Sequence, residues 1–246
     1  MTINICSAEK NQIVCNESSE YEQLDKNTVK ATNQLKETDY VRFTNENGKG
    51  KRVMFVGNSI TLHGKRPEIG WLNEWGMAAS SKENDYAHRL MKEISENDPD
   101  AAFCICQVSA WEKKYKDGRG LYTLFENARN FGADIIVMRF VENCPRQDFE
   151  KQIFKTEAKS LLQYLNPTGN AEIILTTSFW HHPGDEAIIE LAQEEGLPLV
   201  TLCDLGDNEE MKAIGKFEHT GVANHPGDLG MKHIADRIFN LLKMFV

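Results

Sequence analysis

Two short segments far apart in the chain contain residues that could act together as nucleophile and base. In segment 53–61 (VMFVGNSIT), an apolar run ends at a glycine and leads to Ser59, whose hydroxyl is a weak nucleophile unless an adjacent base takes its proton. In segment 221–228 (GVANHPGD), His225 lies in a proline- and glycine-rich loop, and imidazole titrates near neutrality as a general base must. The simpler interpretations are that Ser59 caps a turn and that His225 is an exposed loop residue.

Two further positions could stabilise a negative charge that develops during a reaction. Asn143 lies in segment 139–144, which directly follows a predicted strand, and its side-chain amide can donate a hydrogen bond to an oxyanion. Gly76 is followed by small residues, so its backbone N–H can approach a ligand closely. As alternatives, Asn143 begins the turn toward Pro145, and Gly76 belongs to a turn before the next helix.

Other chemistries compete with acyl transfer by a serine. A glycine turn after a strand can hold a phosphate group, but neither GxxxxGK[ST] nor GxGxxG occurs in the chain. Histidines and aspartates could bind a divalent ion, yet no HExxH or other known ligand spacing is present. We therefore expect neither a metal nor a cofactor. The metal alternative would draw on His181, His182, Asp185, His225, Asp228 and His233.

Short apolar strands that alternate with helices must position these residues. Such a pattern is typical of an α/β protein, here a three-layer α/β/α sandwich with a five-stranded parallel sheet of flavodoxin-like type. Sites in these sheets lie at the carboxyl ends of the strands, so the loops after the strands are expected to hold the chemistry. The predicted strands cover residues 52–56, 101–108, 134–138, 172–177 and 197–202, and the predicted helices cover 85–94, 121–131, 147–164, 185–195 and 228–243.

Residues 1–50 differ from the rest of the chain in composition. They are rich in Asn, Glu, Lys, Ser and Thr, and they end in the turn signal NGKG. We predict a polar, partly disordered extension that carries one short strand near residues 40–43. The second region, residues 51–246, is predicted to form the catalytic domain.

Composition excludes several partners. The 246 residues carry a formal net charge of −9, and such a surface repels nucleic acids and anionic membranes. No stretch approaches the roughly 20 apolar residues of a membrane-spanning helix, and residues 1–10 show no signal-peptide pattern. The six cysteines include no CxxC pair, which predicts reduced thiols. We therefore expect a cytoplasmic protein and leave its oligomeric state open.

Taken together, the four catalytic candidates resemble the SGNH hydrolases, the GDSL-like lipase and acylhydrolase family. That family is named for a Ser, a Gly, an Asn and a His in four separate blocks, and the resemblance covers residues 51–243. The matching residues, in order, are Ser59, Gly76, Asn143 and His225. The chain departs from the family pattern at Asn58, where Asp is commoner, at Val141, where Gly is usual, and at Val222, where an Asp usually orients the histidine.

The resemblance implies a serine carboxylester hydrolase. Ser59 would attack an ester carbonyl after His225 takes its proton, and the oxyanion would be bound by the Ser59 and Gly76 N–H groups and the Asn143 amide. Because the usual acid is missing, a backbone carbonyl or the carboxylate of Glu218 would orient His225. The missing acid also supports an alternative function, a catalytically weak or inactive module that binds a glycan or a protein.

The substrate is expected to be a small-molecule or saccharide ester. Asn58, Trp180 and His181 are predicted to contribute to its pocket because they follow predicted strands. Aromatic rings in such loops often stack on sugars, which favours an O-acetylated saccharide as the substrate. The tryptophans in the predicted strand-end loops are Trp71, Trp75, Trp111 and Trp180.

Overall fold

The computed structural model describes residues 35–246 and shows a six-stranded sheet with helices on both faces. The strand order is β1-β3-β2-β4-β5-β6, in which β1 is antiparallel to β3 and all other neighbours are parallel. The predicted five-stranded parallel sheet is therefore present, and the short strand predicted near residues 40–43 adds a sixth, antiparallel strand at its edge. The strands are β1 (Val41–Thr44), β2 (Arg52–Gly57), β3 (Ala102–Gln107), β4 (Ile135–Arg139), β5 (Glu172–Thr176) and β6 (Leu199–Val200).

Helices cover both faces of the sheet, as predicted for a three-layer sandwich. The α-helices are α1 (Tyr86–Asn97), α2 (Ser109–Glu112), α3 (Glu126–Phe131), α4 (Lys151–Leu165), α5 (Asp185–Glu195), α6 (Thr220–Ala223) and α7 (Asp228–Leu242). Short 3₁₀ helices cover Pro67–Ile69, Lys82–Asn84, Tyr115–Phe125, Leu205–Asp207 and Glu209–Met211.

The alternation of side chains along β2 shows why the sheet needs a helical layer on each face. Val53 and Phe55 belong to a core cluster that includes residues of α1 and α7. Met54 and Val56 belong to a second cluster that includes residues of α3, α4 and α5. Because successive side chains of a strand point to opposite faces, a strand that is apolar throughout must be covered on both sides.

Two predicted elements are about half as long as expected or shorter, and the helix predicted over residues 147–164 begins only at Lys151. The helix predicted over residues 121–131 is α-helical only from Glu126, because residues 121–125 belong to the preceding 3₁₀ segment. The strand predicted over residues 197–202 is reduced to β6. Beyond β6, the N–H of Leu202 donates to the side-chain oxygen of Thr177 (2.7 Å) instead of to a backbone carbonyl.

Residues 1–34, most of the predicted polar extension, lie outside the described residues, so its disorder stays a prediction. None of the described helices is long and apolar enough to span a bilayer. The described cysteines are free thiols, in agreement with the expectation of reduced cysteines, and they are Cys104, Cys106, Cys144 and Cys203.

Candidate active site

Ser59 and His225 are 166 positions apart in the chain and meet at the carboxyl edge of the sheet. The distance from Ser59 Oγ to His225 Nε2 is 2.9 Å, and the other ring nitrogen, Nδ1, lies 2.7 Å from the carbonyl oxygen of Gly221. Because a carbonyl oxygen only accepts, the Nδ1 atom must carry the proton in the neutral ring. Nε2 is then free to accept the proton of the serine hydroxyl, which is the orientation that a general base needs.

Local backbone contacts place both side chains. Ser59 lies in a turn directly after β2, where the N–H groups of Thr61 and Leu62 donate to the carbonyl of Asn58 (2.9 Å each). His225 lies in the connection between α6 and α7, where its own N–H donates to the carbonyl of Val222 (2.9 Å). Both residues are therefore held by turns rather than by regular elements, as is common for catalytic residues.

The surroundings of His225 favour its neutral form. The pKa of His225 is lowered to about 4, mainly by burial; the hydrogen bond to Gly221 opposes this shift, and nearby His63 and Arg139 add to it. The ring of Trp180 packs edge-on against the imidazole, with a centroid distance of 5.3 Å and an interplanar angle of 86°. At neutral pH the imidazole is therefore uncharged and able to accept a proton.

The structure does not place a carboxylate beside His225. Glu218, the acid considered from the sequence, is exposed and makes no hydrogen bond to the imidazole, so among the described residues the Nδ1 atom has the carbonyl of Gly221 as its hydrogen-bond partner. Val222, at the position where the family usually has Asp, is completely buried in an apolar cluster with Trp71 and Met77.

A cavity of about 240 Å³ opens next to the Ser59–His225 pair. Asn143 lines it, and the amide nitrogen of Asn143 also donates to Glu112 Oε2 (2.6 Å). An amide nitrogen carries two hydrogens, so the second hydrogen remains available to a ligand. The polar residues around the opening include Ser59, Gln107, Ser109, Asn143, His219 and His225.

Gly76 does not contribute the predicted N–H donor. Its N–H donates to the buried carboxylate of Asp85 (3.0 Å), and Gly76 is not among the residues that line the cavity. A Cβ atom at this position would lie 2.4 Å from the carbonyl oxygen of Ile60, so the glycine is required for close backbone packing. The expected oxyanion role of Gly76 is therefore wrong.

Ser109 and Gln107 are functional candidates that the sequence reading missed. Both line the cavity at the carboxyl end of β3, and the side-chain oxygen of Gln107 accepts from the N–H (3.2 Å) and the hydroxyl (2.9 Å) of Ser109. Rotation of the Gln107 side chain would free the Ser109 N–H for a ligand. The rule that strand ends hold the chemistry could have indicated these residues, because Gln107 is the last residue of β3 and Ser109 lies two positions beyond it.

Asn58, predicted to contact substrate, is completely buried below the cavity. Its amide nitrogen donates to Glu112 Oε1 (2.9 Å) and Glu142 Oε2 (2.7 Å), while its oxygen accepts from Arg139 (2.5 Å) and the N–H of Ile60 (3.3 Å). Both of its N–H groups and both oxygen lone pairs are thus used. The prediction of a substrate contact is wrong, since this side chain has neither exposure nor a free hydrogen-bonding group.

The network around Asn58 contains two carboxylates and one guanidinium away from water. Arg139 is completely buried and contacts Glu142, and Glu112 is also completely buried. Burial and the negative charge of Glu142 raise the pKa of Glu112 to about 7, and hydrogen bonds from Asn143, Asn58 and the Val141 N–H oppose this shift. The network therefore includes a carboxyl group that changes its charge near neutral pH.

Val141 occupies the position where the family usually has glycine, and its backbone explains that preference. Its φ angle is +101°, which is strained for a β-branched residue. Its N–H donates to Glu112 Oε1 (2.5 Å), and its carbonyl accepts from the N–H of Cys144 (2.9 Å). These bonds hold the strained turn that presents Asn143 to the cavity.

The two remaining residues predicted to line the pocket, Trp180 and His181, differ in their contact with the Ser59–His225 pair. Trp180 contacts the imidazole of His225, as described above, whereas His181 is exposed, pairs with Asp207 (3.2 Å) and is not among the cavity-lining residues. His181 therefore does not shape the pocket as predicted. Trp71 and Trp111 are completely buried and present no ring to a sugar.

One group of potential metal ligands occurs among the described residues. Ligand atoms of His181, Asp185 and Cys203 lie within 4.8 Å of one another. The Asp185 carboxylate, however, already accepts from the N–H and hydroxyl of Ser178 and from the N–H of His182, all within 2.8 Å. These bonds give Asp185 a structural role at the start of α5.

No protein-family model and no curated protein matches the chain, whereas solved structures share its fold. A two-domain esterase (CEX) active on acetylated mannans is 16% identical with a TM-score of 0.52, and the match covers 79% of this chain and 50% of that one. The psychrotrophic esterase EstA from Pseudoalteromonas sp. is 12% identical with a TM-score of 0.53, and the match covers 80% and 98% of the two chains. A family two carbohydrate esterase from Clostridium thermocellum is 13% identical with a TM-score of 0.50, over 79% and 64%.

This chain thus spans half the length of the two-domain esterase and just under two thirds of the Clostridium thermocellum enzyme. At these identities the likeness concerns the fold. It confirms the expected α/β architecture.

Proposed function

We propose that this protein is a serine carboxylester hydrolase in which Ser59 is the nucleophile and His225 the general base. The observation that carries the proposal is the 2.9 Å contact between Ser59 Oγ and His225 Nε2 at the mouth of a cavity. The fixed Nδ1–H tautomer and the lowered pKa of His225 both support its role, because each keeps Nε2 free to take a proton at neutral pH.

The reaction follows from this arrangement. The Ser59 oxygen attacks the ester carbonyl while its proton moves to His225 Nε2, and the carbonyl oxygen becomes an oxyanion. The imidazolium then protonates the leaving alcohol, which departs and leaves an acyl group on Ser59. Water, deprotonated by the same imidazole, releases the carboxylic acid and restores the serine.

Three donors are suited to the oxyanion. The backbone N–H of Ser59 makes no hydrogen bond within the described residues, and the Asn143 amide has one hydrogen left for the cavity. The N–H of Ser109 is the third donor once Gln107 moves aside. Loss of one such donor typically costs about 3 kcal/mol of transition-state stabilisation.

The carbonyl of Gly221 performs only part of the role that the aspartate has in a Ser-His-Asp triad. It selects the tautomer of His225, but it carries no full negative charge to stabilise the imidazolium that forms in the transition state. We therefore expect a functional dyad that is slower than a complete triad, rather than an inactive binding module.

The proposed substrate is a small acyl ester of a saccharide, with acetate as the favoured acyl group. The cavity of about 240 Å³ is suited to a small acyl group. Of the structures that share the fold, one is an esterase active on acetylated mannans and another is a family two carbohydrate esterase in complex with cellohexaose.

The test compares wild type, Ser59→Ala and the matched control Ser95→Ala, whose half-buried serine on α1 makes no side-chain hydrogen bond in the structure. Hydrolysis of p-nitrophenyl acetate and acetate release from acetylated mannan would be measured for each. We expect Ser59→Ala to lose at least about 1000-fold in kcat and to lose labelling by a fluorophosphonate probe, while the control stays unchanged. Equal turnover by Ser59→Ala and wild type would overturn the proposal, and glycan binding without labelling of wild type would favour the binding module.

A further inference from the structure

Beneath the candidate site, a single buried carboxylate connects three groups that shape it. Glu112 Oε2 accepts from the amide nitrogen of Asn143 (2.6 Å). Glu112 Oε1 accepts from the amide nitrogen of Asn58 (2.9 Å) and from the N–H of Val141 (2.5 Å). Glu112 is the last residue of α2, is completely buried, and has no role in the reaction described above.

We propose that Glu112 is a positioning residue whose ionised carboxylate holds the Asn143 amide in the orientation that donates to the oxyanion, so that proton uptake by Glu112 turns the amide away. The proposal rests on the proposed esterase function for the role of Asn143 in catalysis. The hydrogen bonds of Glu112 do not depend on that function.

All three partners of Glu112 donate, and an ionised carboxylate accepts at both oxygens and donates at neither. An added proton would go to Oε2, which has one donor, rather than to Oε1, which has two. The Oε2–H group would then find no acceptor among the three groups that bond to Glu112, which leaves a buried donor unpaired.

Asn143 can resolve this conflict by an amide flip. Its oxygen would then accept from the protonated Glu112, and its nitrogen would leave the position from which it donates. The oxygen carries no hydrogen, so it would repel an oxyanion in the cavity instead of stabilising it. Protonation of Glu112 therefore removes the Asn143 amide from the donors that stabilise the oxyanion.

Charged and titratable groups face Glu112 from several elements. Glu142, in the loop after β4, raises the pKa of Glu112 together with burial, to about 7. Arg139 from β4 is the basic group of the network and lies near Tyr86 of α1, while the Cys144 thiol follows Asn143 and has its own pKa raised by burial. His225 titrates separately because burial lowers its pKa to about 4.

The decisive experiment observes the Asn143 side-chain amide directly and needs no turnover. The protein would be labelled with ¹⁵N-asparagine, the Asn143 NH₂ signal assigned by its absence in Asn143→Asp, and the spectrum recorded from pH 5 to pH 9. We expect the wild-type signal to shift with a midpoint near pH 7. It should stay constant in Glu112→Gln, and the midpoint should move to lower pH in Glu142→Gln, where the repelling charge is gone.

Kinetics give the second readout. Because the amide acts in the transition state, Glu112→Gln is expected to lower kcat about 100-fold with little change in KM. In wild type, kcat should fall toward a similar level as the pH drops below 7. The matched control is Glu93→Gln, an exposed carboxylate on α1, which should change neither the signal nor the rate.

The outcomes separate the two proposals. An Asn143 signal that is constant from pH 5 to pH 9 in wild type would overturn the role of Glu112, whether or not the variants fold. A titrating signal in a protein that shows no turnover and no labelling of Ser59 would support the positioning role and refute the esterase function. Fully retained kcat in Glu112→Gln would also count against the proposal.

Discussion

The replacement of Asn58 by aspartate tests the physical reason for the departure from the family pattern at this position. Asn58 lies between two carboxylates and donates one hydrogen to Glu112 and one to Glu142, at 2.9 and 2.7 Å. An aspartate would keep the oxygen that accepts from Arg139 but would donate nothing. Three carboxylates would then share one guanidinium in a buried site.

The magnitude follows from the two hydrogen bonds lost. A hydrogen bond to a charged group contributes about 1.5–3 kcal/mol, so Asn58→Asp should lower the free energy of unfolding by about 3–6 kcal/mol at pH 8. Domains of this size are stable by about 5–15 kcal/mol, so the variant would lose a large part of its stability. At pH 5 one carboxylate can take up a proton and donate again, so the loss should be about half as large.

The direction of this pH dependence is fixed by linkage. Crowding of three carboxylates raises a folded-state pKa above its value in the unfolded chain, so the folded variant binds more protons between those two pKa values. Stability therefore falls as the pH rises through this range, and the gap to wild type is widest at high pH.

The assay is urea denaturation at pH 5 and pH 8, followed by the fluorescence of the buried tryptophans. The matched control is Asn170→Asp, an exposed asparagine that should change stability by no more than about 0.5 kcal/mol. A loss below about 1 kcal/mol at pH 8 would refute the reasoning, as would equal losses at the two pH values.

Three further predictions concern the catalytic imidazole. Glu218→Gln should leave kcat/KM within about twofold of wild type, because this exposed carboxylate makes no contact with His225; a tenfold loss would restore Glu218 as the missing acid. Trp180→Ala should lower kcat about 2- to 10-fold, since an edge-to-face contact is worth about 0.5–1.5 kcal/mol, and an unchanged kcat would contradict an orienting role. In Glu112→Gln, kcat/KM should stay level from pH 8 to pH 5 and then fall with a midpoint near pH 4, because burial lowers the pKa of His225. A midpoint near pH 6.5 would contradict this prediction, since it would show an imidazole that remains hydrated.

Much of the fold could be predicted from the sequence because its signals are local. The apolar run 53–56 and the similar runs at 102–107 and 135–138 each identify a buried strand, and all three are central strands of the sheet. The strand-end rule then placed Ser59 and Asn143 at the same edge without any knowledge of packing. The predicted edge strand 197–202 is longer than the observed β6, because the Leu202 N–H donates to the Thr177 side chain instead of to a backbone carbonyl of the neighbouring strand.

Only the tertiary structure decided how these residues are used. Gly76 has the expected type, but its N–H is taken by Asp85, a choice made by the packing of one loop against α1. Glu112 belongs to the charged segment 111–116 (WEKKYK), which by composition resembles a solvated surface, yet its carboxylate is completely buried. The sequence by itself determined the central strands and indicated Ser59 and His225, the pair proposed as nucleophile and base. The orienting carbonyl of Gly221 and the buried network around Asn58 depend on contacts between distant loops, whose directions no local pattern specifies.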